Sequence, residues 1–230
     1  MRQPIPHPDF PPGVDPPGPR PARAPGSGAR IWLVRHAEVH ADFEGTAYGN
    51  SDVPLSKTGE EQTRVLGARF AALPLELVRA SPLARATAMG RAIAVGARAP
   101  LELAPGLAEV DRGAWQGLPT AEFRARWLAD REAFLADPWR WKGHGGESDA
   151  DLFARGWPVL YATLEAARGG TVVLASHYNL IRALVTGALG LGARASFAFR
   201  NRPAHAALLV DAPGGFELRA SDVDDPRGVG

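Results

Sequence analysis

Short apolar runs recur along the chain and are separated by longer amphipathic segments. The runs at 31–34 and 171–175 are continuous and rich in β-branched residues, which is typical of central strands buried on both faces. The second of these runs stops at Ser-His, and the first stops at Arg-His. Weaker strand patterns occur at 75–80, 101–103, 206–210 and 216–218, the last two forming a predicted hairpin.

Helical periodicity fills the segments between the predicted strands. Ser56 is predicted to cap a helix that Pro74 ends, and Ser81-Pro82 is predicted to supply the cap and first-turn proline of the next helix. Ser148 is predicted to cap a later helix that bends at Pro158. The predicted helices extend to about residues 73, 95, 136, 167 and 189.

This alternation predicts an α/β fold, a three-layer sandwich whose mainly parallel central sheet has helices on both faces. A helical, tryptophan-bearing insertion at about 111–147 is predicted to form a lid. Residues 1–28 are rich in Pro and Gly with few aliphatic residues, which predicts a disordered tail. The main domain is predicted over 29–222, and 223–230 is predicted to be a frayed C-terminal tail.

Composition narrows the classes of function. The formal net charge of +1 favours neither a nucleic-acid partner nor a membrane surface. The absence of cysteine excludes disulfides, thiolate nucleophiles and cysteine-ligated metals. We see no signal-peptide pattern and no apolar run long enough to span a bilayer, so we expect a cytoplasmic protein. The sequence leaves the oligomeric state open, including a homo-oligomer.

Polar residues follow the predicted strands where each one ends: Arg35 and His36 after the first, Arg85 after the second, Glu109 after the third and His177 after the fourth. The carboxyl ends of parallel strands share one edge, so these side chains are expected to meet in one crevice. Guanidiniums bind phosphate oxygens through two parallel hydrogen bonds, which indicates a transferring phosphoryl group.

Within such a crevice, neighbouring cations would keep His36 neutral and nucleophilic, and Glu109 would protonate the leaving oxygen. The competing use of these residues is a metal site. No His-Glu-x-x-His pattern is present and the arginines would repel a cation, so we expect no metal and no cofactor.

Ordered motifs carry a resemblance to a known family. They are Arg35-His36-Ala37-Glu38, Asp52-Val53-Pro54-Leu55-Ser56-x-x-Gly59-x-x-Gln62, Ser81-Pro82-Leu83-x-Arg85-Ala86, Leu107-x-Glu109-x-x-x-Gly113-x-Trp115-x-Gly117, Gly145-Gly146-Glu147-Ser148 and Ser176-His177-x-x-Leu180-Ile181-Arg182. In order and spacing, over about 31–185, they resemble the histidine phosphatase superfamily, the phosphoglycerate mutase-like family. The resemblance implies a phosphohistidine mechanism with His36 as nucleophile, Glu109 as proton donor, and Arg35, Arg85 and His177 binding phosphate. It also implies that Asn179 lies near the substrate.

The chain departs from the family pattern at several positions. Ala37 and Tyr178 stand where glycines are usual, and Asp42 stands where an asparagine is common, so that either Asp42 turns away or Asn50 takes that role in binding. After Glu109 the mutase branch resembles Arg-His-Tyr, whereas this chain has Val110-Asp111-Arg112. This difference favours a phosphatase over a mutase.

The sequence therefore predicts a phosphomonoesterase that hydrolyses a small phosphorylated metabolite, with no nucleic-acid or membrane partner. The alternatives are an α-ribazole phosphatase of cobalamin synthesis, a phosphoglycerate mutase-type phosphotransferase, and a catalytically inactive phosphate-binding scaffold. The intact set of Arg35, His36, Arg85, Glu109 and His177 argues against the scaffold.

Overall fold

The computed structural model describes residues 26–192 and 195–229. Within them, one sheet contains β1 (Arg30–Arg35), β2 (Leu75–Ala80), β3 (Leu101–Leu103), β4 (Thr171–Ser176), β5 (Ala206–Ala212) and β6 (Gly215–Val223). The α-helices of the described residues are α1 (Lys57–Phe70), α2 (Ala84–Ala97), α3 (Thr120–Ala129), α4 (Arg131–Ala136), α5 (Asp149–Ala167) and α6 (Tyr178–Leu189).

The sheet has the strand order β3-β2-β4-β1-β5-β6. The first four strands in that order are mutually parallel, whereas β5 and β6 are antiparallel to their neighbours. The expectation of an α/β fold with a mainly parallel sheet is therefore confirmed. β1 and β4 pair directly, and their carboxyl ends lie side by side.

The two faces of the central strands are buried against different helices. Ile31 and Leu33 of β1 belong to a core cluster that includes residues of α5 and α6. Trp32 and Val34 point to the opposite face and join a second cluster with residues of α1 and α2, including Phe70. Successive side chains of a strand alternate between faces, so a continuous apolar run is what a strand covered on both sides requires.

Two of the predicted helix caps are confirmed and one is wrong. Ser56 Oγ accepts a hydrogen bond from the Gly59 amide at the start of α1, and Ser148 forms a capping box at the start of α5. Ser81 does not cap α2, which begins at Ala84; instead the Ala84 amide donates to Asp52 Oδ1 at 2.7 Å. A carboxylate distant in sequence thus replaces the local cap.

The lid segment, residues 111–147, contains α3 and α4 and a short 3₁₀ turn at Gly113–Trp115. The continuous helical pattern predicted for 120–136 is divided between the two helices at Asp130. α5 continues through Pro158 from Asp149 to Ala167. No helix of the described residues is both long and apolar enough to cross a membrane.

Both predicted tails lie partly outside the described residues, which begin at 26 and end at 229. Ser27 already contacts the domain, because its amide and hydroxyl both donate to Asp211 Oδ2. Near the other end, which we expected to be frayed, Arg69 donates to the carbonyl and the carboxylate of Asp224. The Val229 carbonyl accepts from Arg30 at 2.7 Å.

Candidate active site

The register of β1 and β4 places the two strand-end histidines together. Arg35 pairs with Ser176 across the strands, so His36 and His177 are the next residues of each strand. Their ring centroids lie 5.1 Å apart, and both side chains are almost completely buried. The sequence expectation that these histidines meet at one edge of the sheet therefore agrees with the geometry.

The ring of His36 is held in one tautomer by the main chain. Its Nδ1 lies 2.7 Å from the Ala37 carbonyl oxygen, which can only accept, so Nδ1 carries the proton and donates. The lone pair of the neutral ring is then on Nε2. Burial lowers the pKa of His36 well below its usual range, and the Arg85 and Arg35 guanidiniums lower this pKa further. His36 is therefore neutral at pH 7.

Arg85 lies in the first turn of α2 and is fully buried. Its Nη1 and Nη2 donate to the carbonyls of Ser51 and Gly49 at 2.6 and 2.9 Å, and its guanidinium lies 5.2 Å from the centre of the Tyr48 ring. These contacts fix the guanidinium without cancelling its charge, because every hydrogen-bond partner is a neutral carbonyl. The cation therefore remains available to an anion.

Arg35, at the carboxyl end of β1, is held in a comparable way. Its Nη1 donates to the Asn201 carbonyl at 2.8 Å, and its guanidinium lies 5.2 Å from the centre of the Tyr178 ring. Tyr178, which stands where the family usually has glycine, also donates its hydroxyl hydrogen to the Phe199 carbonyl. The bulkier residue thus supports Arg35.

His177 is oriented by Ser81, the residue that the sequence pattern assigned to a helix cap. Ser81 Oγ lies 2.8 Å from His177 Nε2 and accepts from the Leu83 amide at 3.3 Å. The Ser81 hydroxyl can donate its hydrogen to Nε2 while it accepts from Leu83. In that tautomer the ring hydrogen of neutral His177 resides on Nδ1, a buried atom without a hydrogen-bond partner in the described part of the chain.

Glu109 lies between the end of β3 and α6, and its carboxylate is bound on both oxygens. Oε1 accepts from the Val110 amide at 2.8 Å, and Oε2 accepts from the side-chain amide of Asn179 at 3.2 Å. Asn179, expected near the substrate, thus contacts the candidate proton donor. Glu109 is also an electrostatic neighbour of Arg85, which connects it to the histidine pair.

Arg155 of α5 fixes the loop that carries Glu109. Its guanidinium donates to the carbonyls of Gly106, Ala108 and Glu109 and binds both oxygens of Glu147. Three of these five hydrogen bonds hold the loop against α5, and the other two bind Glu147 to the same side chain. Arg155 could not be identified from the sequence, because its main-chain partners and Glu147 form no local pattern with it.

Asp42 and Asn50 are the two residues considered for the role of the asparagine that is common in the family. Both are exposed. The Asp42 side chain is 78% exposed and lies 3.2 Å from His40 rather than against either buried histidine. Asn50 is exposed, and its Oδ1 accepts from Gln116 at 2.9 Å. Neither residue makes a contact with His36 in the described structure, so a substrate-binding role for Asn50 stays a prediction.

A cavity of about 410 Å³ lies between the lid segment and the start of α6. Aromatic rings of the lid line much of it, and Asn179 lies in its wall, next to Glu109. His36, Arg35, Arg85 and His177 do not line this cavity, and His36, Arg85 and His177 are buried. Asn179 connects the cavity to them, because it contacts Glu109, an electrostatic neighbour of Arg85. Among residues 26–192 and 195–229, no group of three or more His, Asp or Glu side chains is arranged to hold a metal ion.

Comparison with known proteins places the whole described domain in one family. A family model described as "Histidine phosphatase superfamily (branch 1)" matches residues 31–223. The chain is 32% identical over 171 residues to a glucosyl-3-phosphoglycerate phosphatase of Mycolicibacterium vanbaalenii, covering 70% of this chain and 75% of the relative. It is 30% identical over 173 residues to a probable phosphoglycerate mutase GpmB of an Enterobacter species, covering 75% and 80% respectively.

Among solved structures, the native structure of a mycobacterial glucosyl-3-phosphoglycerate phosphatase superposes with a TM-score of 0.74. The sequence identity is 25%, and the match covers 84% of this chain and 98% of the other. The likeness therefore extends over nearly the full length of the other chain.

The buried histidines predict how stability depends on pH. Burial lowers the pKa of both His36 and His177 below the usual 6.5, so below that pH the unfolded chain binds more protons than the folded one. The free energy of unfolding should therefore be greatest above about pH 6.5 and decrease as the pH falls. Denaturant unfolding at several pH values measures this. His36→Gln and His177→Gln should each reduce the dependence of the free energy of unfolding on pH. A wild-type free energy of unfolding that increases as the pH falls from 6.5 to 5 would contradict the lowered pKa of the two histidines.

The contact between Ser81 and His177 predicts that Ser81 affects turnover by orienting His177, without touching the substrate itself. Ser81→Ala should lower kcat/KM about fivefold, because losing a hydrogen bond of roughly 1 kcal/mol frees the ring to change tautomer. Long-range ¹H–¹⁵N spectra should show the Nδ1–H tautomer of His177 in the wild type and a mixture of the Nδ1–H and Nε2–H tautomers in the variant. Ser176→Ala is the matched control, because the Ser176 hydroxyl donates to the Leu107 carbonyl. An unchanged tautomer in Ser81→Ala would refute the role.

Proposed function

The chain belongs to the histidine phosphatase superfamily, branch 1, and we propose that it hydrolyses a phosphomonoester through a phosphohistidine formed on His36. Glu109 serves as general acid, and Arg35, Arg85 and His177 bind the transferring phosphoryl group. The substrate class is a small phosphorylated metabolite, and no metal or other cofactor takes part.

The observation that carries this proposal is a set of buried hydrogen-bond donors around a neutral imidazole. Arg35 Nε, Arg85 Nε and His177 Nδ1 are buried and have no acceptor within the described residues. Unpaired buried donors are costly, and they persist where a ligand supplies the missing acceptors. Both arginines are electrostatic neighbours of His36 and of His177. A dianionic phosphoryl group supplies both the oxygens and the negative charge that this site lacks.

The first chemical step uses the lone pair of His36 Nε2. It attacks phosphorus, the P–N bond forms, and the bond from phosphorus to the ester oxygen breaks. Glu109 gives its proton to that oxygen, so the product leaves as an alcohol. The phosphorylated ring is cationic, and its Nδ1–H remains bonded to the Ala37 carbonyl at 2.7 Å, which stabilises the positive charge.

The second step returns the site to its starting state. A water molecule attacks the phosphorus of phospho-His36 and loses a proton to the Glu109 carboxylate. The P–N bond breaks, its electron pair returns to Nε2, and inorganic phosphate leaves. The arginines and His177 bind the phosphoryl oxygens through both steps, so one set of donors stabilises two related transition states.

The size of the cavity favours a small substrate, and the residues after Glu109 favour hydrolysis over transfer between positions of phosphoglycerate. The cavity beside Glu109, of about 410 Å³, has the size of a small-molecule site. Of the residues that replace the Arg-His-Tyr pattern of the mutase branch, Val110 is buried, and Asp111 accepts from the Gly113 amide to stabilise a turn. Relatives carry both phosphatase and mutase names, so the mutase remains the alternative that an experiment must exclude.

Purified protein should release inorganic phosphate from a panel of phosphomonoesters that includes α-ribazole phosphate and 3-phosphoglycerate. Turnover should survive EDTA, because the donors assigned to the phosphoryl group are guanidiniums and an imidazole. His36→Asn should abolish phosphate release. Interconversion of 2- and 3-phosphoglycerate faster than phosphate release would establish the mutase instead, and no release from any ester would support the inactive scaffold.

A further inference from the structure

The cavity of about 410 Å³ under the lid segment has a wall of mutually contacting aromatic rings. Trp115 lies against Phe123 and Trp141 with centroid separations of 5.4 and 5.3 Å, and Phe134 lies 5.7 Å from both Trp141 and Phe197. We refer to this space as the aromatic cavity. Such a wall favours a planar or apolar group over a polyhydroxylated one.

Most charged side chains around the aromatic cavity are already paired. Arg182 is 2.6 Å from Asp149, donates to Ser196 Oγ at 2.9 Å, and lies 4.7 Å from the centre of the Phe197 ring. Glu147 is bound by Arg155, as described above. These pairs contribute no net charge to the space between the rings.

His144 also lines the cavity and is neutral. Its Nδ1 accepts a hydrogen bond from the Gly146 amide at 3.0 Å, so this nitrogen carries no hydrogen. Burial lowers the pKa of His144, and the nearby Arg112 guanidinium lowers this pKa further. The imidazole therefore adds no positive charge at neutral pH.

Arg112 differs from these neighbours. Its guanidinium lies 5.0 Å from the centre of the Phe123 ring and, among the described residues, donates to no acceptor and forms no ion pair. Its electrostatic neighbours of opposite charge are Glu109 and Asp149. Asp149 is paired with Arg182, and Glu109 is uncharged when it holds the proton for the leaving group. During the first step, therefore, Arg112 is a partly buried cation without a compensating charge.

We propose that the aromatic cavity binds the leaving group of the substrate and that Arg112 binds a carboxylate on it. The substrate is then the phosphate monoester of an alcohol that carries a planar or apolar body and a carboxylate. This inference rests on the proposed function, because it assigns the part of the substrate that lies beyond the ester oxygen.

The charge balance favours a carboxylate over a second phosphate. Arg124 also lines the cavity, but its side chain is exposed and solvent screens its charge, so Arg112 is the unpaired guanidinium of the lining that is partly buried. One such guanidinium matches a singly charged planar group, which it can bind through two parallel hydrogen bonds. A phosphate dianion bound by Arg112 would keep one further negative charge beside the aromatic rings. Arg112 and Glu109 are electrostatic neighbours, so this contact lies on the side of the cavity that holds the acid.

The test compares 4-carboxyphenyl phosphate with its neutral analogue, 4-carbamoylphenyl phosphate. Arg112→Gln should reduce the ratio of their kcat/KM values about tenfold or more, because a charge-assisted pair contributes roughly 1.5–3 kcal/mol. Comparing this ratio between proteins cancels the intrinsic reactivity of each ester. Arg112→Lys, which keeps the charge but not the planar group, should retain part of the preference.

Arg126→Gln is the matched control. Arg126 belongs to the same lid helix as Phe123, is exposed, and is bound by Glu122 at 2.6 Å outside the cavity lining. The substitution should leave the ratio unchanged. If Arg112→Gln slows both esters equally, Arg112 binds the transferring phosphoryl group or supports the fold, and the assignment to the leaving group is wrong.

A second measurement does not depend on turnover. Benzoate and benzamide are titrated against the protein while the fluorescence of Trp115, Trp127 and Trp141, which line the cavity, is recorded. Benzoate should bind about tenfold more tightly than benzamide in the wild type, and Arg112→Gln should remove the difference. Selective benzoate binding without hydrolysis of any ester would overturn the proposed function alone. Hydrolysis without any preference for benzoate or for the carboxylated ester would overturn the carboxylate site alone.

Discussion

The parallel pairing of β1 with β4 is the constraint on which the site depends. The register that sets Arg35 opposite Ser176 brings His36 and His177 to the same edge, with ring centroids 5.1 Å apart. A shift of one residue would turn the side chains of a strand to the opposite face. Because the strands are buried on both faces, their apolar residues specify that register strongly. The geometry of the proposed active site is therefore stabilised by the core itself.

Burial then determines the chemistry at that edge. Placing imidazoles and guanidiniums in a region with little water lowers the pKa of both histidines, so that His36 retains its lone pair. The guanidiniums of Arg35 and Arg85 donate to neutral carbonyls, which fix their positions without forming an ion pair. The site is thus organised for an anion before substrate binds, which is the condition for electrostatic stabilisation of a transition state.

Sequence patterns predicted the parts of the fold that depend on local periodicity. The central strands, most helices and the meeting of His36 with His177 follow from apolar runs and from the rule that strand ends share an edge. Contacts between distant segments were not predictable in this way. The hydroxyl of Ser81 bonds His177 rather than capping α2, and Asp52 supplies that cap from more than thirty residues away. The unpaired state of Arg112 likewise depends on which neighbours are already bound.

Trapping of the phosphorylated enzyme tests the central claim most directly. Enzyme mixed with ³²P-labelled substrate is quenched rapidly in alkali and in acid, and the protein-bound label is counted and mapped. In the wild type, label should be found on His36, where it should survive alkali and be lost in acid. His36→Asn should carry no label. Label that persists in His36→Asn but vanishes in His177→Asn would show that the two histidines have the opposite roles, and the absence of label in the wild type would indicate direct attack by water.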